Sequence, residues 1–305
     1  MNTLVIGASE YAGRHALRAL PEARAVDPDG DLEAAASGAE VVIVAAPTWD
    51  AGTKLRVMRQ PHPLLPRVLG ACSQAGVRRL VHLSSALVYG ADHPEAMALT
   101  EASEPRPVHA YEKLKRREEE WLRLNRGALE LVVVRPATGF GGHDRLLARL
   151  LAELEGGHLK LPEAGRVPHS FLAGPDLGRA LAAAAQRGRP GATYLVSGFE
   201  GTWRELLEAA AAVLGVAPRI GSVPYDLAYL GASLRELRTA VGSECWPSHL
   251  SLDLLAKPRR LEGGRSRREL TWSPQVGSFA EGVAELAAWY RSLAPAPQGV
   301  STSTP

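Results

Sequence analysis

Short apolar blocks punctuate the chain: Thr3-Leu-Val-Ile-Gly7, Glu40-Val-Val-Ile-Val-Ala-Ala46, Arg79-Leu-Val-His-Leu-Ser84, Glu130-Leu-Val-Val-Val-Arg135 and Ala192-Thr-Tyr-Leu-Val-Ser197. Their near-continuous apolarity, rather than strict alternation, marks strands covered on both faces. Between them, apolar positions recur every three or four residues. That spacing predicts helices over 14–20, 32–37, 64–75, 109–121, 145–154, 176–186, 202–214, 223–240 and 278–292. Asp31, Asp176 and Thr202 stand where helix N-caps belong, and Glu205 completes a capping box with Thr202. Two further short strands are predicted, at Arg24–Asp27 and 167–172. Strand–helix alternation of this kind predicts an α/β fold, a doubly wound parallel sheet with helices on both faces. Beyond Pro136 the alternation loosens. The expected division is 1–136 plus about 171–197 as a nucleotide-binding unit, about 137–170 and 198–293 as a smaller substrate lobe, and a disordered Pro/Ser/Thr tail at 294–305.

Composition adds mainly exclusions. In 305 residues, 46% hydrophobic and 22% charged, a net charge of +2 makes no case for nucleic acid or an anionic membrane surface. No apolar run approaches the ~18 residues of a membrane span. A first strand beginning at Thr3 leaves no room for a signal peptide. The two cysteines, Cys72 and Cys245, form neither a disulfide framework nor a zinc spacing, so a reducing cytoplasm and no metal are expected.

The candidate chemistry sits at strand ends. A buried strand, the turn Gly7-Ala-Ser-Glu-Tyr-Ala-Gly13 and a helix form a unit suited to a pyrophosphate, which free N–H groups at a helix start can hold. Tyr111 and Lys115 lie one turn apart on one helix face. An ammonium beside a phenol favours the phenolate and makes a proton acceptor that works near neutral pH. With 7 Tyr and 5 Lys in the chain, chance supplies roughly 0.1 such pairs, so the motif by itself is suggestive only. Ser85 lies at the end of the strand starting at Arg79, 26 residues before Tyr111. Ligands bind at that edge of an open parallel sheet.

Together the Gly7–Gly13 loop, Gly30-Asp31-Leu32, Ser84-Ser85-Ala-x-Val-Tyr-Gly90, Tyr111-x-x-x-Lys115, Val134-Arg-Pro-Ala-Thr138, Asp176-Leu-Gly-Arg-Ala180 and Arg267-Arg-Glu-Leu-Thr-Trp272 resemble the extended short-chain dehydrogenase/reductase superfamily, in its NAD-dependent epimerase/dehydratase branch. The resemblance spans about residues 1–292 and implies a Rossmann-type domain. It implies Tyr111 as general acid/base, Lys115 as the cation that lowers its pKa and bonds the nicotinamide ribose, and Ser85 as the holder of the substrate oxygen. It implies Gly7, Ser9, Glu10, Tyr11, Ala12 and Gly13 at the pyrophosphate, and Asp31 with Leu32 near the adenine. Ala45, Ala46 and Pro47 would run beside the cofactor, with Ser84, Pro136 and Ala137 near the nicotinamide. Asp31 could equally be a plain helix cap, and Ser84 a strand-end hydroxyl supporting its neighbour. His109 either faces substrate or is an exposed helix-start residue. A homodimer built on the Tyr111 helix and its predecessor is also implied.

Two departures lie at the adenosine end. Glu10 stands where the pattern has its middle glycine, bringing bulk and like charge towards a pyrophosphate. The segment between Leu20 and Gly30 has room for one strand only. If that strand lies beside the first, Asp27 can meet a ribose 2′-hydroxyl, favouring NAD. If it replaces a later strand, that acid is missing and NADP stays open, with Arg14 available to a 2′-phosphate. The function expected is NAD(P)-dependent hydride transfer at a hydroxyl/carbonyl carbon of a nucleotide sugar or small carbonyl compound. Val223–Gly231 resembles the hydroxysteroid-dehydrogenase and flavonol-reductase-like branch and supports the second substrate class. The competing expectation is a non-catalytic sensor with weakened dinucleotide affinity.

Overall fold

The computed structural model describes residues 1–46, 63–91, 93, 97–142, 145–238 and 247–293; Pro47, Cys245 and the expected tail lie outside them. The strands are β1 Thr3–Ile6, β2 Arg24–Val26, β3 Val41–Val44, β4 Arg79–Leu83, β5 Glu130–Pro136, β6 Thr138–Phe140, β7 Lys160–Pro162, β8 Pro168–Ala173, β9 Thr193–Val196, β10 Phe199–Thr202 and β11 Gly221–Val223. The helices are α1 Tyr11–Ala19, α2 Leu32–Ala36, α3 Leu64–Gln74, α4 Ala110–Asn125, α5 Arg145–Glu155, α6 Gly174–Arg187, α7 Trp203–Leu214, α8 Tyr225–Arg238, α9 His249–Ala256, α10 Gly264–Glu269 and α11 Phe279–Leu293.

Six strands make the central sheet in the order β2-β1-β3-β4-β5-β9, all parallel. Period-two alternation sends Val5, Ile43, Val81 and Val134 to one face, under α1 and α6. Leu4, Ile6, Val42, Leu80 and Val133 go to the other, under α2, α3 and α4. Both faces are covered, which is why these strands read as unbroken apolar runs. The sheet is the doubly wound, Rossmann-type sheet expected. A third apolar cluster joins α5, α7 and α11 to the three-stranded sheet β10-β8-β6.

Several local expectations are resolved or corrected. The short segment after Leu20 lies beside β1, with Leu4 opposite Arg24 and Ile6 opposite Val26, so Asp27 follows the strand that flanks the glycine turn. Helix α1 begins at Tyr11 rather than Arg14, which places Tyr11, Ala12 and Gly13 in its first turn. Asp176 is not the cap of α6; Ala173 holds that position. The Asp176 carboxylate is fully buried, pairs with Arg179 and accepts from the backbone N–H of Gln275 (2.8 Å) and Val276 (3.0 Å). It ties the segment before α11 to the sheet domain, a long-range role invisible to local capping rules. Strands β6, β7, β10 and β11 have three or four residues each, too few for a periodic signal.

Candidate active site

The C-terminal ends of the central strands converge on one cleft of about 340 Å³. Glu10, Tyr11 and Ala12 reach it from the β1–α1 turn, Ala45 and Ala46 from the end of β3, Ser84 and Ser85 from the end of β4, and Pro136 and Ala137 from the end of β5. Tyr111 and Lys115 enter from α4. Residues separated by more than a hundred positions thus share one wall because parallel strands all end on the same edge. Gly7, Ser9 and Gly13, of the same β1–α1 turn, and Asp27, at the end of β2, do not line the cleft. Asp31 and Leu32 are elsewhere: the Asp31 carboxylate caps α2 by accepting from the Ala34 N–H at 3.0 Å, near Arg67 and Gly70.

The turn is tightly built. Gly7 has φ +93°, and a Cβ there would lie 2.6 Å from the Ala46 nitrogen. A Cβ on Gly13 would fall 1.8 Å from the Gly7 carbonyl oxygen, so no side chain fits between β1 and α1. The first-turn N–H groups of α1 have no partner within their own helix, and they open beside the cleft. These features fit a dinucleotide. Two neighbours restrict it. Asp27 accepts from the Ser9 N–H (2.9 Å) and hydroxyl (2.8 Å), contacts that hold its carboxyl below the usual range, and Arg14 donates to the Ser9 carbonyl at 2.8 Å. Glu10 is the N-cap residue of α1, at φ −80°, and makes no capping bond.

Around Tyr111 and Lys115 several groups are buried and paired. Lys115, 3% exposed, donates to Glu118 at 3.1 Å. Burial works against its charge, but Glu118 and Tyr111 outweigh burial and raise its pKa. It therefore stays an ammonium at neutral pH. Ser85 accepts from the Leu87 N–H at 3.1 Å, which leaves its own O–H to donate. The Ser84 hydroxyl donates to Glu119 at 2.6 Å, and Arg135 grips both Glu119 oxygens at 2.8 and 2.6 Å. Ser84 thus lines the cleft while its hydroxyl locks the end of β4 to α4 and β5. His109 is neither substrate-facing nor exposed: its Nε2 lies 2.9 Å from Asp253, which also accepts from Tyr225 (2.5 Å) and Lys257 (3.1 Å).

Sequence reasoning passed over Glu118, Glu119, Trp203, Leu254 and Arg259. The two glutamates carried a usable signal, since they follow Lys115 by three and four positions on one helix face. Trp203 from α7, Leu254 from α9 and Arg259 from the segment after α9 come into the cleft, with no local cue. Among the described residues no group of His, Cys, Asp and Glu is arranged to hold a metal, and no helix is long and apolar enough to cross a membrane.

Comparison with known proteins agrees with this architecture. An uncharacterized protein, y4nG, from Sinorhizobium fredii is 29% identical over 223 residues, 71% of this chain. The match covers 54% of that relative, so the chain spans about half its length. Among solved structures, UDP-glucuronic acid 4-epimerase from Bacillus cereus, in complex with NAD, superposes with a TM-score of 0.72 at 17% identity, covering 97% of this chain and 100% of the other. DesIV, a dTDP-glucose 4,6-dehydratase from Streptomyces venezuelae solved with NAD, gives 0.71 at 23% identity, with 96% and 97% covered. At such identities the likeness establishes the fold. The profile of the NAD dependent epimerase/dehydratase family matches residues 26–197. That match takes in more than half of the sequence, and the chain belongs to the NAD dependent epimerase/dehydratase family.

Proposed function

We propose that the protein is an NAD-dependent enzyme that moves hydride to or from a hydroxyl/carbonyl carbon of a nucleotide sugar. The observation that carries this reading is the presence of Ser85, Tyr111 and Lys115 on one cleft with the strand-end residues Ala45, Ala46, Pro136 and Ala137. A bound dinucleotide supplies the hydride chemistry there. The chain's own groups do the rest. The phenol of Tyr111 exchanges a proton with the substrate oxygen. The Lys115 ammonium stabilises the phenolate. The Ser85 O–H donates to the same substrate oxygen and stabilises charge developing on it. Gly7, Ser9, Glu10, Tyr11, Ala12 and Gly13 form the pyrophosphate end. Asp27, following the strand beside β1, favours a ribose 2′-hydroxyl over a 2′-phosphate and so NAD over NADP. The solved nucleotide-sugar epimerases and dehydratases of the same fold support the substrate class.

Tyr111→Phe is expected to lower kcat by at least ~10³-fold, by removing the proton acceptor, while NAD affinity stays within ~2-fold. Undiminished turnover would remove Tyr111 from the mechanism. A second reading, a binding protein with weak cofactor affinity, draws on Glu10 at the mouth and on Asp27 occupying the Ser9 amide. Calorimetric titration separates the two. Binding of NAD below millimolar concentration supports the enzyme, and no binding of NAD or NADP at millimolar concentration supports the sensor.

A further inference from the structure

The segment after α9 brings into the cleft a guanidinium whose hydrogen bonds the described residues do not complete. Arg259 lines the cleft beside Trp203 and Leu254 and is 3% exposed. Its backbone is fixed by a bridge to β8: the Arg259 N–H donates to the Pro168 carbonyl at 3.2 Å, and its carbonyl accepts from the Ser170 N–H at 2.9 Å. Its Nη2 donates weakly to the Gly90 carbonyl at 3.4 Å. Nε and Nη1 have no hydrogen-bond partner among the described residues, which strands one N–H on the first nitrogen and two on the second. Among the described residues no hydrogen bond joins Arg259 to a nearby acid. Glu112 Oε1, itself without a hydrogen-bond partner among them, lies 3.9 Å from Nη2, an ion pair too long for a hydrogen bond, while its Oε2 accepts from the N–H groups of Val108 and His109. Asp253 is held by His109, Tyr225 and Lys257. The other ring facing Arg259, His169, is buried and neutral near pH 7, its pKa pushed down to about 3 by burial and by Arg259 itself. Burial likewise depresses the Arg259 pKa, and Glu112 and Asp253 only partly oppose it. A buried cation left in this state is unfavourable, and a ligand anion would offset that.

The position of Arg259 indicates where such an anion sits. Its Nη2 meets the carbonyl of Gly90, at the end of the turn that begins at Ser85, and lies 3.9 Å from Glu112, adjacent to Tyr111 in sequence. Arg259 therefore shares the cleft with Ser85 and Tyr111 and contacts the end of the turn that follows Ser85. We propose that Arg259 is the specificity-determining residue of the cleft, holding a carboxylate that the substrate carries close to the carbon undergoing hydride transfer. This rests on the nucleotide-sugar reading above and narrows it to acidic sugars.

The test is calorimetric titration of the full-length protein, loaded with NAD, with UDP, UDP-glucose and UDP-glucuronate, which share the nucleotide and differ in the carboxylate. Wild type is expected to bind UDP-glucuronate about 10-fold or more tighter than UDP-glucose. Arg259→Gln should erase that difference and leave UDP and UDP-glucose within about 2-fold, and Arg259→Lys should keep part of it. Equal affinities in wild type overturn the proposal, as does a difference that survives Arg259→Gln. Weakened binding of UDP itself also overturns it, because the guanidinium then reads the diphosphate. The wild-type comparison stands even if Arg259→Gln fails to fold. Free glucuronate against glucose keeps the two readings apart. If no UDP ligand binds but glucuronate is still preferred through Arg259, the nucleotide-sugar reading fails and the carboxylate site stands. If glucuronate has no advantage either, both fail.

Discussion

At the residue scale, the least expected group at the site is Glu10. Its backbone, at φ −80°, is open to any residue, so glycine is not demanded there for conformation. Glu10 is the N-cap residue of α1 and lines the cleft, so its negative charge stands at the helix start, where a pyrophosphate would bind and be repelled. Glu10→Gly is therefore expected to tighten NAD binding by about tenfold, roughly 1.4 kcal/mol. The gain should shrink in high salt, because exposed charges are screened. Titration of both proteins with NAD at low and high ionic strength checks this, and an unchanged Kd would clear Glu10 of any part in cofactor affinity. Lys115 shows the opposite arrangement. The partner that keeps it charged is built into its own helix at Glu118, so the ammonium is in place before any ligand arrives.

At the element scale, the phosphate-binding turn is held by the packing of α1 on α6. A Cβ on Gly178 would meet the His15 carbonyl oxygen at 2.1 Å, and one on Gly174 would overlap the His15 ring. The two helices touch through glycine because a methyl group has no room between them. Gly178→Ala should force α6 outward and cost about 3 kcal/mol, above the usual range for helix-favouring substitutions and in the opposite direction. Gly70→Ala on α3 is the control: among the described residues nothing lies within 4 Å of the place its methyl group would take, and it should stabilise by about 0.5–1 kcal/mol through helix propensity. Urea unfolding of both variants measures the contrast. A Gly178→Ala variant as stable as wild type would show that the helix pair can slide apart at no cost.

At the scale of the whole molecule, two buried histidines set the acid limit. Burial, with help from Lys115 and against the pull of Glu118, lowers His82 to about 4. His169 falls to about 3. Both are neutral when folded, whereas in the unfolded chain they take up a proton near ~6.5. The unfolded state thus binds more protons below that pH, and stability falls as pH drops from about 6.5 towards about 4 and 3. Between pH ~6.5 and ~5 each histidine should cost roughly 2 kcal/mol. Melting curves across this range test the sign. His169→Gln should flatten the slope by about half, and an unaltered slope would mean that other groups control it.

Much of this molecule was legible in its residues. The unbroken apolar runs specified a sheet covered on both faces, because only doubly buried strands tolerate such runs. Tyr111–Lys115 and Ser85 could be read because helical pitch and strand ends are local properties. The sequence by itself therefore determined the α/β architecture, the turn between β1 and α1, and the three residues proposed to carry the chemistry. Tertiary structure alone decided the rest. It placed the single strand after Leu20 beside β1, because either position satisfied the chain locally and only sheet pairing chooses between them. It turned Asp176 from an expected cap into the anchor of a segment a hundred residues away. It also carried Arg259 to the cleft that Tyr111 and Ser85 line, since burial and unmade hydrogen bonds depend on what the fold brings near.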